Sequence, residues 1–384
     1  MPVSPAACEV LLSWPTAADP EDARLLVTRN GAPAHPEQTL RAGRGRVAIG
    51  AACDAMRAAG ADLDRLHAIG HRIVHGGTRF TESVRIDSAV EAELLALAPL
   101  APSHNAVEAS GIDAARALFR NVPQVAAFDT AFHRTLPPVA FTYPGPYAWR
   151  ERDIRRFGFH GVSVAYCVER TAQLLDREPR ELSLIVAHLG GGCSVTAVRD
   201  GASVDTSMGF TPLDGVMMAT RSGSVDPGIL IFLAREFADA GMDAATIANE
   251  LDATLNDRSG LLGISGVSSD MLDVLAASEA GNERANLALA MFAHRCAVSI
   301  AGLRTSLDRL DALVFTGGIG THAPTVRARI CERLGFLGIA LDATTNESPS
   351  HDAPIESRGP AVFALETRED WYIARECARV LARS

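Results

Sequence analysis

Lysine is missing from this chain: all 36 basic residues are arginine. Codon usage in a GC-rich genome explains the bias most simply, yet the absence still excludes chemistry. A Walker P-loop sets a lysine on the phosphates, a protein kinase sets one on a central strand, and a Schiff base forms on a lysine amine. Any anion bound here is therefore held by arginine, histidine, backbone amides or a metal. Cysteine is also sparse. The seven cysteines stand singly, with no paired spacing of the zinc kind, and their odd number argues against a disulfide framework, so they are expected as reduced, mostly buried thiols. No apolar run approaches the roughly 18 to 20 residues that span a bilayer, and the start "MPVSPAACEVLLSWPTAADPEDAR" has no basic stretch leading into an apolar one. A cytoplasmic location is expected. Excess positive charge is missing too: a net charge of -10 and a pI near 5.6 leave no electrostatic footprint for nucleic acid or an anionic membrane.

What is present is enough for a large core. With 384 residues, 47% of them hydrophobic, two domains are expected, and the Pro- and Gly-rich bend "RTLPPVAFTYPGP" at 134–146 is the candidate boundary. Hydrophobic periodicity predicts mixed α/β structure. Residues 54–70 read as a helix leading into the strand "HRIVHGG", and 89–100 as a helix stopped by Pro99 and Pro102. "PQVAAFDTAFH" reads as a buried strand ending at Asp129, "SVAYCVERTAQLL" as a helix and "LSLIVAHLG" as a buried strand. "CSVTAVRDGASVD" reads as a hairpin turning at Asp200-Gly201. A long helix over 283–307, the strand and glycine turn "DALVFTGGIG", and an amphipathic C-terminal helix "EDWYIARECARVLAR" complete the pattern.

Two buried strands thus run straight into glycines, in "IVAHLGGGCS" and "VFTGGIG". Without side chains, such turns let backbone N–H groups approach phosphate oxygens, although either turn alone also suits a purely structural role. Charged residues cluster at similar strand ends: Arg72 in "GHRIVHGG", Asp129 in "AFDTAFH", His160 in "RRFGFHGVS" and Arg221 in "MATRSGSVDPG". Singly, each also reads as a surface ion pair, a satisfied core histidine or a helix cap. Together they point to a site.

These segments carry a resemblance. "HRIVHGG", "FDTAFH", "FGFHG", "HLGGG", "DTSMGFTPLDG", "TRSGSVDPG" and "FTGGIG" occur in the order and with the spacing of the acetate kinase family, within the acetate and sugar kinase, heat-shock and actin superfamily. The match runs from about residue 68 to 376. The resemblance implies an α/β fold of two actin-like (ribonuclease H-like) domains with ATP in the cleft between them. The expected bounds are 1–133 plus 371–384, the C-terminal helix returning to the first domain, and 134–370. It also implies reversible transfer of the ATP γ-phosphoryl group to acetate, giving acetyl phosphate and ADP, with Mg²⁺ or Mn²⁺, in a homodimer. Acetate is already ionised near neutral pH, so no general base is needed, and the obstacle is bringing two anions together. By similarity, Arg72 and Arg221 hold the carboxylate and the transferring phosphoryl, while His160 and His104 donate hydrogen bonds to it. Asp129 orients an arginine or a metal-bound water, and Glu369 supports the metal. His188, Gly190, Gly191 and Gly192 line the phosphate path, and Gly317, Gly318 and Gly320 the nucleotide side. Val74, Phe159 and Pro212 form the acyl pocket.

The departures from the family pattern are specific. "APLH" becomes "APSH", setting Ser103 beside the acyl site if His104 is the matching histidine; "HLGNG" becomes "HLGGG" at Gly191; "GFHGTSH" becomes "GFHGVSV" at Val164; and "GIGEN" becomes "GIGTH" at Thr321 and His322. The family's N-x-G-S-S-S-x-K loop and first strand find no match, the first glycine being Gly31. Two alternatives follow: a kinase for propionate, butyrate or another short carboxylate, and a catalytically impaired nucleotide-binding homologue.

Overall fold

Every residue of the strand Ser183–Leu189 is buried, so this strand must be covered on both faces. It lies at the centre of a five-stranded sheet in the order Ala202–Thr206, Cys193–Arg199, Ser183–Leu189, Ala312–Thr316, Ala361–Ala364. The first three strands pair antiparallel and the last two join in parallel. One face of the sheet packs on the helix Gly161–Leu174. There Val164, Cys167 and Val168 meet Leu184, Val186, Val314 and Phe363. Strand residues alternate sides, so Ile185, Ala187 and Leu189 face the other way, where the long helix Glu283–Leu303 lies against the sheet. Asp200 and Gly201 both take left-handed backbone, φ 57° and 75°, closing the hairpin expected from Asp-Gly.

The computed structural model describes residues 8–13, 22–29, 32–33, 38–41, 46–58, 62–97, 105–349 and 353–383. The chain divides into two compact units, Met1–Ala131 with Glu369–Ser384, and Phe132–Arg368, which holds the five-stranded sheet. The first unit has an antiparallel sheet from Cys8–Ser13, Asp22–Arg29, Ala32–Pro33 and Gln38–Arg41. Its second sheet pairs Ile69–Ile73 in parallel and Val84–Arg85 in antiparallel with Gln124–Phe128. Ala126 and Phe128 face a core with Ile73, Phe80, Leu94 and Ile112, the last two from the helices Ser88–Ala96 and Asn105–Leu118. Val125 faces the opposite way, onto Cys377 and Val380 of the C-terminal helix Glu369–Leu381.

Several elements differ from the periodicity reading. The helix expected at 54–70 runs over Arg46–Ala58, and a single 3₁₀ turn, Leu63–Arg65, follows. Asp62 caps that turn by accepting from the Asp64 N–H at 3.2 Å, a polar start signal inside what reads as one apolar stretch. The helix expected at 89–100 ends at Ala96. "GGIG" is no free turn but the first residues of a short helix, Gly317–His322. The expectation that no apolar run nears membrane-spanning length also needs correction: Glu283–Ser306 is long and apolar enough by length and composition. Its buried residues, Ala285, Ala288, Leu289, Phe292, Cys296 and Ile300 among them, recur every three or four positions, the burial pattern of a helix packed on a protein core.

Candidate active site

In the first unit the strand Ile69–Ile73 carries Arg72, and Asp129 directly follows the neighbouring parallel strand, its N–H donating to the Ile73 carbonyl at 2.9 Å. That register sets carboxylate and guanidinium side by side. Arg72 Nε donates to both Asp129 oxygens at 3.0 and 3.1 Å, and its Nη2 to Oδ2 at 2.6 Å. Its Nη1 lies 3.6 Å from Glu369 Oε2. Asp129 is 1% exposed, whereas the Arg72 side chain keeps 37% of its surface open, so the aspartate anchors and the arginine presents. Burial disfavours the Arg72 charge, but the carboxylates of Asp129, Glu369 and Glu108 outweigh it and hold the guanidinium firmly protonated. Burial, reinforced by Asp129, raises the Glu369 carboxyl against the pull of Arg72. Beyond the strand end, the Val74 N–H donates to both Glu108 oxygens at 3.2 Å. Burial pushes Glu108 up to about 7, with Asp129 adding to the rise and Val74 N–H and Arg72 opposing it.

The second unit brings its two glycine segments together. Ser183–Leu189 and Ala312–Thr316 are adjacent parallel strands, with His188 opposite Thr316, so both segments leave the same sheet edge. This is where open α/β sheets place ligands. A Cβ on Gly190 would sit 3.9 Å from the Gly318 nitrogen and 3.8 Å from His188 Nε2. Gly317 has φ 75°, and a Cβ there would meet the Leu189 carbonyl oxygen at 2.7 Å, so only glycine fits.

Around Gly192 the cationic and imidazole groups converge. A Cβ there would lie 3.2 Å from His160 Nε2 and 3.5 Å from Arg221 Nη1. His160 has left-handed backbone, φ 60°, at the start of the helix Gly161–Leu174, and its Nδ1 is 2.9 Å from Ser194 Oγ. Its ring stacks on His188, centroids 4.1 Å apart. Arg221 Nη1 donates to the Pro212 carbonyl at 3.3 Å and touches Met218 sulfur, but among the described residues no carboxylate stands within ion-pairing distance of it. Burial pulls its pKa down. A half-buried guanidinium faced by a carbonyl and a thioether suits an external anion.

The structure thus groups Arg72, Asp129, Glu369 and Val74 in one unit, and His160, His188, Arg221, Pro212 and the glycine segments in the other. The Phe159 ring is 1% exposed and its carbonyl accepts from His133 Nε2 at 2.9 Å. His104 and Ser103 lie outside the described residues. Among the described residues no group of three metal-binding side chains occurs. Two carboxylates sharing one arginine, Asp129 and Glu369, nevertheless fit a hard cation that keeps waters and binds mostly phosphate oxygens. One departure gains a reason: Val164 is fully enclosed in the sheet-facing core, where an aliphatic side chain packs; at Gly191 a Cβ would meet nothing within 4 Å, so nothing steric explains the glycine.

Sequence reasoning missed the supporting groups. Arg327, fully buried, donates Nη1 to the Gly320 and Thr321 carbonyls at 2.9 and 2.7 Å and Nε to Asn346 Oδ1 at 2.8 Å, clamping the end of the short glycine helix. Glu108, Ser163, Ser194 and Thr367 are likewise polar residues whose importance comes from a partner distant in sequence. Ser163 and Ser194 lie beside segments that carry the resemblance, "FGFHG" and "HLGGG", whereas Glu108 and Thr367 do not.

Known proteins share this sequence and fold. The chain is 51% identical over 326 residues to an acetate kinase of Gloeobacter violaceus, covering 84% of this chain and 79% of that one. It is 48% identical over 321 residues to an acetate kinase of Nostoc punctiforme, covering 83% and 78%. Among solved structures, a propionate kinase from Francisella tularensis superposes with a TM-score of 0.83 at 37% identity, over 93% of this chain and 89% of the other. The acetate kinase of Porphyromonas gingivalis gives 0.83 at 34%, over 94% and 90%. The model of the Acetokinase family matches residues 16–375, and the chain belongs to that family.

Proposed function

We propose that the chain transfers the γ-phosphoryl group of ATP to acetate, forming acetyl phosphate and ADP, and catalyses the reverse reaction. The observation that carries this reading is Arg221, a half-buried cation that donates to a carbonyl, touches a sulfur and, among the described residues, has no carboxylate within ion-pairing distance, so that an anionic substrate would satisfy it. An acetate oxygen attacks the γ-phosphorus. The bond from that phosphorus to the bridging oxygen breaks, and its electron pair stays on the β-phosphate of ADP. No proton is transferred in the step, because acetate enters as the anion. Catalysis then reduces to positioning and fixed positive charge. Arg72, anchored by Asp129, receives the carboxylate with its free edge, and Arg221 and His160 meet the equatorial phosphoryl oxygens. His188 and the amides of Gly190 to Gly192 attend the phosphates, and Gly317, Gly318 and Gly320 the nucleotide. Val74 in the first unit, and Phe159 and Pro212 in the second, are the apolar residues assigned to the acyl group. Asp129 and Glu369 would hold Mg²⁺ through its waters, and the ion when bound neutralises charge on the β- and γ-phosphates.

The six described cysteines are all free thiols, which supports a reducing, cytoplasmic location. Exposed Ile229, Ile231 and Phe232 on the helix Pro227–Asp239, which buries none of its residues, support pairing of two copies through that surface. The test of function is trapping of acyl phosphate as the hydroxamate, with ATP, Mg²⁺ and acetate. Turnover with acetate is expected. Nucleotide binding with no hydroxamate from any short carboxylate would overturn the reading.

A further inference from the structure

The imidazole of His188 is tied into a chain of hydroxyls whose direction can be read. Ser163 is fully buried at the third position of the helix Gly161–Leu174, its Oγ 2.8 Å from His188 Nδ1. Thr367, on the segment after the edge strand Ala361–Ala364, donates its Oγ1–H to the same Ser163 oxygen at 2.9 Å. A serine hydroxyl has a single proton. With Thr367 donating to Ser163, the serine keeps its own proton to give, and the short contact with Nδ1 is where we place it, which makes Nδ1 the acceptor. A neutral imidazole whose Nδ1 accepts carries its own proton on Nε2. That nitrogen faces the glycine turn, since a Cβ on Gly190 would stand 3.8 Å from it. Stacking on His160 at 4.1 Å, with 24° between the rings, keeps the ring from turning over to exchange its nitrogens.

We propose that Thr367 and Ser163 form a one-way hydroxyl relay that holds neutral His188 as the Nε2–H tautomer, making it a hydrogen-bond donor toward the phosphates of the nucleotide. The other tautomer would aim a lone pair at an anion. Thr367 and Ser163 are positioning residues: they act through His188. This inference rests on the nucleotide reading of the glycine turn given above.

The test is long-range ¹H–¹⁵N correlation of the histidine side chains in the full chain at pH 8, with and without ADP, the His188 signals identified by their loss in His188→Gln. The wild type is expected to show the Nε2–H pattern. Thr367→Val frees the Ser163 hydroxyl to accept from Nδ1, so the Nδ1–H form should become populated and the KM for ATP should rise about tenfold, more than kcat falls. Thr367→Ser should restore both. Ser163→Ala reads the same tautomer if the valine variant does not fold. An Nδ1–H pattern in the wild type, or an unchanged tautomer in a folded Thr367→Val, overturns the relay. If the wild type forms no acyl phosphate, the functional reading fails while the nitrogen shifts still decide the relay. If it does form acyl phosphate and the wild-type tautomer is Nδ1–H, the relay alone fails.

Discussion

The two arginines differ in what holds them. Arg72 is gripped by a buried aspartate, lies 3.6 Å from Glu369 and keeps 37% of its side chain exposed, whereas Arg221 has no carboxylate within ion-pairing distance among the described residues. Replacing either with alanine should lower turnover about 10² to 10³-fold, the usual effect of losing one preorganised donor at developing charge. Lysine should not restore either activity, because a point charge lacks the planar fork that carboxylate and phosphoryl edges accept. Hydroxamate formation by the four variants checks this, and near-normal turnover in both alanine variants would remove the assignment. Glu108 carries a different expectation. Its folded pKa of about 7 lies above its ordinary 4.5, so the folded chain holds that proton more tightly than the unfolded one. The stability contributed by this group is full below the unfolded value and falls as pH rises through about 7. Glu108→Gln keeps an acceptor for the Val74 N–H and removes the titration. Thermal unfolding between pH 5 and 8 should therefore show the wild type losing stability relative to the variant, and parallel curves would refute the raised value. Arg72, Asp129 and His188 stand out in the sequence because they lie in or just after apolar strand runs, and His160 and Arg221 because they lie in glycine-containing motifs, although the structure puts His160 at a helix start and Arg221 in a loop rather than at the strand ends expected. Glu108 does not: nothing local in "NAVEASGID" marks it, and its role depends on a strand end 34 positions away.

At the scale of elements, the glycine segments separate by backbone rather than by composition. Gly317 and Gly191 look alike in the sequence, yet one is at φ 75° with a carbonyl in the way of a Cβ and the other faces open space. Gly317→Ala should lower stability by about 1 to 3 kcal/mol and weaken ADP binding, while Gly191→Ala should change stability by less than about 0.5 kcal/mol. Denaturant titration and ADP calorimetry on the pair check this, and equal destabilisation would show that the two turns are not distinguished by strain. In the sheet of the second unit, Ser183–Leu189 and Ala312–Thr316 were legible because they are continuous apolar runs ended by glycine, the mark of a strand buried on both faces, and the hairpin by its Asp-Gly turn, whereas the short edge strand Ala361–Ala364 was not read. The helix at 46–58 was not. Its apolar positions merge with those of the following 3₁₀ turn into one periodic stretch, and only the Asp62 cap separates them. Residues 227–265 form three further helices that the motif-led reading passed over. They bury few residues.

For the whole molecule, the discriminating measurement is substrate range. One methylene in a small apolar pocket is worth only about 1 to 3 kcal/mol, so acetate and propionate should both react, with acetate preferred. A kcat/KM favouring butyrate over acetate would move the chain to a longer acid. Sedimentation should give twice the 40.6 kDa chain mass, and Phe232→Glu on the exposed helix should shift it toward the single chain. A monomeric wild type would remove the pairing proposal.

The first unit is stitched from two stretches far apart in the chain, and this bears on how the molecule is made. A ribosome adds roughly 5 to 20 residues per second, so the 237-residue span Phe132–Arg368 is synthesised and able to fold while the first unit still lacks its last helix. Until Glu369–Leu381 emerges, the sheet face bearing Val125 has no Cys377 or Val380 to cover it, and Gly70 has no Ile373 against it. Arg72 meanwhile waits for Glu369. The nascent chain therefore carries one apolar face exposed until that helix emerges, a natural ligand for a chaperone. Translation stalled before residue 369 should yield a second unit that resists protease and a first unit that does not.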